Sequence, residues 1–400
     1  MRCGVLHRLI VVTFAAAILY GGGYALASEA VSSPALAPPP LAKPVPLSPG
    51  AASPNAAKTA PAAASPAATR LLAEPEVPHI ALLLPLDSPS FVRHAEAVRN
   101  GFLAAAKVEG RAALPLRIYS VSDDDRVIVE GYRRALENGA RLIVGPLTRN
   151  GVTAVAESAL VMVPTLALNV PDRSIGIQRD LYMLSLHAET EARQVAQLAH
   201  QDGRQNALTV YADTPLYKRI QQAFIEEFTR LGGRHVAEHR FSGEQPELVR
   251  LRQAAGSGTA DMVFLALDFP RARVARPYLG TLAGYATSHV HPGAAGPLTG
   301  FDLANVRFLD MPWMVQPEHP AVMIYPRQDY RDADLDRFYA LGIDAFRVAQ
   351  ELLAGKTEFT LDGVIGRLKL GADQQFARTL IGAQFDGGKL KTSGEPRDAR

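Results

Sequence analysis

The segment His235-Val-Ala-Glu238-His239 carries the most reactive-looking spacing in the chain. Two imidazoles and a carboxylate in an H-x-x-E-H pattern hold zinc when the segment is helical, because positions i and i+4 then share a face. Gly232-Gly233 closes the preceding helix, and 234–241 reads as a strand, where positions four apart lie about 13 Å from each other. Imidazoles so separated cannot share a zinc at nitrogen distances of about 2 Å, so no metal is expected. His289 and His291 fall on one face of a predicted strand, lack a third ligand nearby, and read as surface residues. Asp332, Asp334 and Asp336 alternate as in a calcium loop, but Arg337 stands where that loop needs Gly and Ile343 where it needs Glu. These acids suit the N-terminal turn of the following helix instead. Gly256-Ser257-Gly258 is a loop after a helix and not a nucleophile elbow, and 382–389 lacks phosphate-loop spacing. No nucleophile, base and orienting group assemble from any motif, so neither an enzyme nor a cofactor is expected.

What remains is polar chemistry at the ends of predicted strands. Ser88 and Ser90 follow the first strand, Thr148 the third and Asn169 the fourth; Asp213 and Tyr217 follow a strand of a second series, and Asp268 another. Each lies beside a predicted helix N-terminus, whose free N–H groups favour anions. A small ligand would place its carboxylate on Ser88, Ser90 and Thr148 and an amine near Asp213 or Asp268. Helix capping is the competing reading of the same residues. Thr148 is the best single candidate, since Gly145-Pro146 shapes a close approach to the backbone. Trp313, between Met311-Pro312 and Met314, is a candidate partner anchor, with hinge packing as the alternative. Arg271, Arg273 and Arg276 could meet an acidic partner, with a solvated helix face as the alternative.

The elements that must position these residues alternate in type. The run from His79 to Leu84, ended by Pro85, is apolar throughout, as in a strand buried on both faces of a parallel sheet. A helix follows over 91–108, with Ala95, Val98, Phe102 and Ala105 on one stripe. Strands over 115–121, 141–144 and 163–168 then alternate with helices over 127–136 and 148–160, and 182–186 is strand-like. A second series runs through strands at 207–211, 234–241, 262–266, 286–289 and 306–308, with helices at 189–201, 216–231, 246–255 and 272–282. A long amphipathic helix covers 334–354, and 363–370 and 377–384 read as a closing hairpin. Such alternation implies right-handed crossovers and open parallel sheets. We therefore expect an α/β protein of two doubly wound parallel-sheet lobes, 77–186 plus 310–362 and 187–309 plus 363–391. Crossovers would join them around a cleft at the C-terminal strand ends.

Composition agrees with that class. Of 400 residues, 42 are Lys or Arg and 40 Asp or Glu, so no long-range field draws nucleic acid. One Cys, Cys3, excludes a disulfide framework or a Cys-rich zinc site. Residues 1–27 read as a signal peptide: Arg2, His7 and Arg8, an apolar run from Leu9 to Tyr20, three glycines, then Ala25-Leu26-Ala27 before Ser28. No Cys stands at that cleavage site for lipidation. Residues 28–76 read as a disordered linker; 11 of the 46 residues in 31–76 are Pro and 14 are Ala. Residues 392–400 read as a disordered tail.

Several stretches carry a family resemblance. Ile80-Ala-Leu-Leu-Leu-Pro-Leu86 and Val144-Gly-Pro-Leu-Thr-Arg149 resemble the type I periplasmic-binding-protein fold. Asp310-Met-Pro-Trp313 and Phe338-Tyr-Ala-Leu-Gly-Ile-Asp-Ala-Phe346 resemble, more specifically, the penicillin-binding protein activators of the LpoA or LppC family. The resemblance spans nearly all of 77–391. It implies a non-enzymatic periplasmic regulator whose partner is a bifunctional class A penicillin-binding protein, a peptidoglycan synthase. Members are typically lipid-anchored at the outer membrane, and some carry a helical-repeat domain where this chain has its Pro/Ala stretch. The alternative is a periplasmic solute-binding protein delivering an amino-acid-like ligand to an ABC transporter.

Overall fold

A computed structural model describes residues 77–110, 113–176, 178–293 and 299–393, all within the compact unit Arg70–Arg400. The expected signal peptide, the linker and the tail beyond residue 393 lie outside the described residues. Five strands, β1 (His79–Leu84), β2 (Leu116–Ser120), β3 (Ala140–Val144), β4 (Thr165–Ala167) and β5 (Leu181–Met183), form a parallel sheet in the order β2-β1-β3-β4-β5. The unbroken apolar run of β1 has a direct cause. Ile80, Leu82 and Leu84 enter one core cluster while Ala81 and Leu83 enter another on the opposite face. Helices α1 (Val92–Val108), α2 (Asp125–Glu137) and α3 (Arg149–Glu157) supply those two faces, α1 on one side and α2 on the other.

The second lobe repeats the plan. After α4 (Ala188–Gln201) come β6 (Asn206–Ala212), α5 (Pro215–Arg230), β7 (Arg234–Phe241), α6 (Gln245–Gly256), β8 (Met262–Ala266), α7 (Phe269–Ala275), β9 (Ala283–Ala286), α8 (Thr299–Asp302) and β10 (Val306–Asp310). Strands β7-β6-β8-β9-β10 are parallel, in an order matching the first sheet. The short helices α9 (Pro312–Val315) and α10 (Pro320–Met323) lead into α11 (Ala333–Leu353). Strands β11 (Thr360–Gly363), β12 (Gly366–Leu370) and β13 (Phe376–Thr379) build a small antiparallel sheet of their own. Then β14 (Ile381–Asp386) and β15 (Lys389–Ser393) extend the second large sheet, β14 antiparallel to β10.

Four local expectations are corrected. The strand expected over 286–289 ends at Ala286, and Ser288–Val290 is a 3-10 turn. The helix expected over 272–282 stops at Ala275, where Pro277 turns the chain into the 3-10 segment Arg276–Tyr278. The closing hairpin forms only in part: 366–370 pairs antiparallel with 376–379 and gains β11 as a third strand, while 381–386 leaves it to join β10. The tail expected from 392 includes Thr392 and Ser393, which pair with Ala383 and Gly382.

Helix α11 returns to the first lobe and lies on α1 at very short range. A Cβ on Gly342 would sit 2.1 Å from the Val98 carbonyl oxygen, and one on Gly101 would sit 1.9 Å from the Tyr339 carbonyl oxygen. The two glycines thus form a reciprocal notch, flanked by the edge-on pair Phe102 and Phe346, 5.3 Å apart. No rotamer change relieves a clash with backbone. Gly342→Ala should therefore lower unfolding free energy by about 2–3 kcal/mol, read as a lower urea midpoint at unchanged m-value.

Candidate functional site

The C-terminal strand ends of the two large sheets face each other across a cavity of about 270 Å³. Its walls include Arg149 and Asn169 from the first lobe, Glu189 and Arg219 from the second, and Arg337 and Arg378 from the returning segments. Arg337 on α11 is almost fully buried, and its guanidinium is satisfied on all sides. Its Nη2 donates to the carbonyls of Ser288 and His291, both at 3.0 Å, and to Asp310 Oδ2 at 2.9 Å. Its Nη1 donates to Asp334 Oδ1 at 3.1 Å. Asp310, at the end of β10, also accepts from the Met311 N–H at 2.8 Å and sits 2.8 Å from His291 Nδ1. Burial alone would raise the Asp310 carboxyl, but Arg337 and His291 hold it at about 2.

A second carboxylate stands beside this pair. Glu191, in the first turn of α4, accepts from the Ser288 N–H and from Ser288 Oγ at 3.2 Å. Burial pushes it up to about 7 against the pull of that N–H, and Asp310 adds to the rise. Glu189 faces the cavity and accepts from Arg219 Nε at 2.7 Å, with His187 Nε2 at 3.1 Å and Arg149 Nη1 at 3.7 Å. Arg149 further donates to the Pro171 carbonyl at 3.0 Å. Gln194 on α4 donates to the Arg378 carbonyl at 2.8 Å and accepts from the Leu380 N–H at 3.2 Å. The cleft is therefore crossed by the protein's own ion pairs and hydrogen bonds.

Of the seven residues expected to hold a ligand, Asn169 alone lines this cavity. Its Nδ2 donates to the Leu147 carbonyl at 2.9 Å. Thr148 is buried and caps α3 through the Gly151 N–H at 3.3 Å. Ser88 is buried, whereas Ser90 is exposed at the turn before α1. Asp213 is exposed and pairs with Lys218 and Arg240. Tyr217 packs edge-on against His289 at 5.7 Å, and Asp268 caps α7 through the Arg271 N–H at 3.0 Å. The capping reading holds for Thr148 and Asp268. Trp313 is not a surface anchor: it is fully buried, donates to Asp336 Oδ1 at 3.0 Å, and lies 3.7 Å beneath the Arg327 guanidinium. Arg271 pairs with Asp268, Arg273 with Asp302, and Arg276 bonds the Gly280 carbonyl, so the three do not form one patch. Neither His289 nor His291 lies on the open surface: the turn after β9 buries His291 against Asp310 and sets His289, partly buried, in the cleft wall. Burial, with Arg337 nearby, pulls His289 below its ordinary pKa. In β7, His235 meets Thr209 Oγ1 at 3.0 Å and His239 meets Glu247 at 3.2 Å, two separate environments. The residues missed at the cleft were Arg149, Glu189, Glu191, Arg219, Arg337 and Arg378. One signal was available: Arg337 and Asp344 stand on the buried stripe of α11 with Leu341 and Val348.

Comparison with known proteins matches the family model described as "LppC putative lipoprotein" to residues 51–256 and 257–388. Penicillin-binding protein activator LpoA of Pantoea ananatis is 26% identical over 323 residues, 69% of this chain and 47% of the relative. The Escherichia coli K12 protein of that name is 24% identical over 322 residues, again 69% and 47%. The chain thus spans about half the length of these curated relatives. Among solved structures, the LpoA C-domain of Haemophilus influenzae superposes with a TM-score of 0.67 at 22% identity, covering 79% of this chain and 99% of that one. A Chromobacterium violaceum structure described as "a putative branched-chain amino acid ABC transporter" gives 0.65 at 40% identity, covering 76% and 99%. The fold is that of type I periplasmic binding proteins.

The Glu191 environment makes a pH prediction. Between its ordinary value of 4.5 and about 7 the folded protein holds a proton that the unfolded chain has lost, so stability falls as pH rises through that window. Asp310 works the opposite way at lower pH, its contribution being lost as pH falls from about 4 toward 2. Glu191→Gln mimics the protonated side chain. It should match the parent near pH 4 and exceed it by about 3 kcal/mol near pH 8 in urea denaturation. Arg337→Ala should cost about 3–5 kcal/mol, since it leaves Asp310 buried without its cation.

Proposed function

The chain belongs to the LppC family, and from that membership we propose that it is a non-enzymatic periplasmic regulator that binds and activates a bifunctional class A penicillin-binding protein in peptidoglycan synthesis. The support lies in the relatives and in the cleft. The curated relatives are named penicillin-binding protein activators. The Haemophilus influenzae C-domain, whose length this chain covers almost completely, is described as a regulator of PBP1A. The single observation that carries the reading is that side chains from both lobes already bond across the cleft, Arg337 with Asp310 and Arg149 with Glu189. A body braced in this way suits the presentation of an outer surface to a protein partner. Location in the periplasm, with or without an outer-membrane anchor, belongs to the same proposal.

One observation favours a second reading. The Chromobacterium violaceum structure at 40% identity is described in terms of amino acid transport, and the cleft retains its cavity of about 270 Å³. A solute-binding protein would be stabilised by its ligand, by about 2.7 kcal/mol at one hundred times the dissociation constant.

The purified chain should retain the class A synthase of its own organism in a pull-down and raise the rate of glycan-strand synthesis by that enzyme. Absence of both retention and stimulation would remove the activator reading. A thermal-shift screen across uncharged amino acids should be flat, and a saturable shift that Arg219→Gln in the cleft abolishes would favour the solute-binding reading.

A further inference from the structure

The second lobe carries a larger cavity at the opposite end of its sheet from the cleft. About 650 Å³ opens at the starting ends of β6, β9 and β10, walled by Asp202, Arg204, Arg276, Tyr285, Arg307 and Gln384 with residues 280–284. That volume lies within the usual range for small-ligand sites. Three guanidinium groups face a single carboxylate. Asp202 accepts from the Tyr285 hydroxyl at 2.6 Å and pairs with Arg307. Arg204 Nε donates to the Tyr285 hydroxyl at 3.3 Å. Burial pushes Tyr285 up to about 12, so its hydroxyl stays a proton donor to Asp202. The neighbouring Asp261 is already engaged, accepting from the N–H groups of Gln205 and Asn206 at 3.0 and 3.2 Å.

Arg276 is the group left over. Its Nη1 donates to the Gly280 carbonyl at 2.9 Å, while its Nε is buried with no hydrogen-bond partner among the described residues. Burial alone pulls its pKa below the ordinary value, and no carboxylate opposes that pull. A half-buried cation without an anion is unfavourable, and a guanidinium offers a fork of donors matched to a carboxylate. Asp202 cannot meet all three arginines, so the wall keeps a net positive charge around a hollow with Leu282 and Ala283 as its apolar part.

We propose that this pocket binds a small dicarboxylate, either a free acid or a short acidic peptide, with one carboxylate on Arg276 and the other on Arg307. The site is separate from the interlobe cleft and does not depend on the activator reading.

Isothermal titration of the full chain at low ionic strength with the dipeptide Ala-Glu, with succinate and with inorganic phosphate tests this. Saturable binding of Ala-Glu or succinate is expected, weakened at least about tenfold by Arg276→Gln at an unchanged melting temperature. Thr281→Trp, a bulky residue added at the exposed rim, should block binding without touching an arginine. Arg219→Gln, in the interlobe cavity, should leave it intact. Stronger binding of Ala-Glu than of succinate assigns the site to a peptide, and equal binding assigns it to a free dicarboxylate; both uphold the proposal. No saturable heat with either carboxylate, tighter binding of phosphate than of both, or loss in Arg219→Gln but not in Arg276→Gln would overturn it.

Discussion

The arrangement of the two lobes turns on one guanidinium. Arg337 projects from a helix packed on the first lobe and ends among the Ser288 and His291 carbonyls and the Asp310 carboxylate of the second. Withdrawing a guanidinium and a carboxylate from water costs several kcal/mol for each ion. Good geometry and further bonds to the remaining donors and lone pairs offset that cost. Here Asp310 accepts from Arg337, His291 and the Met311 N–H, and Arg337 reaches Asp334 as well. Such a pair adds little net stability over an apolar substitute, but it is exacting about position. A shift between the lobes would strand both charges, so the pair fixes the relative placement of α11 and β10 more than it strengthens either.

That placement needs α11 to lie close on α1, and glycine makes this possible. Gly101 and Gly342 remove side-chain volume where the two backbones meet. Two residues on from Gly342, the buried Asp344 accepts the Ile365 N–H at 2.8 Å and pairs with Arg347. The backbone N–H of Trp313 in turn donates to the Val364 carbonyl at 2.9 Å, while its indole N–H donates to Asp336. The Met-Pro-Trp and Tyr-Ala-Leu-Gly-Ile-Asp-Ala stretches are thus parts of one joint, in which a helix contact, a turn and an indole are held in register.

The legible parts of the sequence were those with local causes. Buried parallel strands show as apolar runs, the caps Thr148, Asp268 and Asp332 stand where their helices begin, and Gly232-Gly233 with the following alternation marks β7 as a strand. The residues that brace the cleft were not legible, because their partners are remote in the chain. Arg337 finds Asp310 only after the second lobe has folded, and Arg149 finds Glu189 only across the crossover. The antiparallel addition of β14 to β10 was hidden for the same reason, and so was the burial of His289 and His291. Their turn looks polar in sequence, but its Ser288 and His291 carbonyls accept from Arg337 of α11. Polar residues at strand ends were read for a ligand or for helix caps; Thr148 and Asp268 cap their helices, and Asn169 lines the cleft cavity.

In a two-lobed protein that closes on a solute, the solute completes the bonds between the lobes, and the empty cleft must leave its charges free to meet it. This cleft differs in that respect. Glu189 already holds Arg219 and approaches His187 and Arg149, Asp310 already holds Arg337, and Gln194 ties α4 to the backbone of residues 378 and 380. A solute would have to replace bonds made by side chains that are held in place, and it would gain only the difference between the old contacts and the new ones. Contacts within one chain also lose less entropy than contacts with a free ligand. The balance therefore favours lobes fixed by their own residues. A fold so fixed keeps its outer faces in constant relation, which is the property a docking surface for a large enzyme requires.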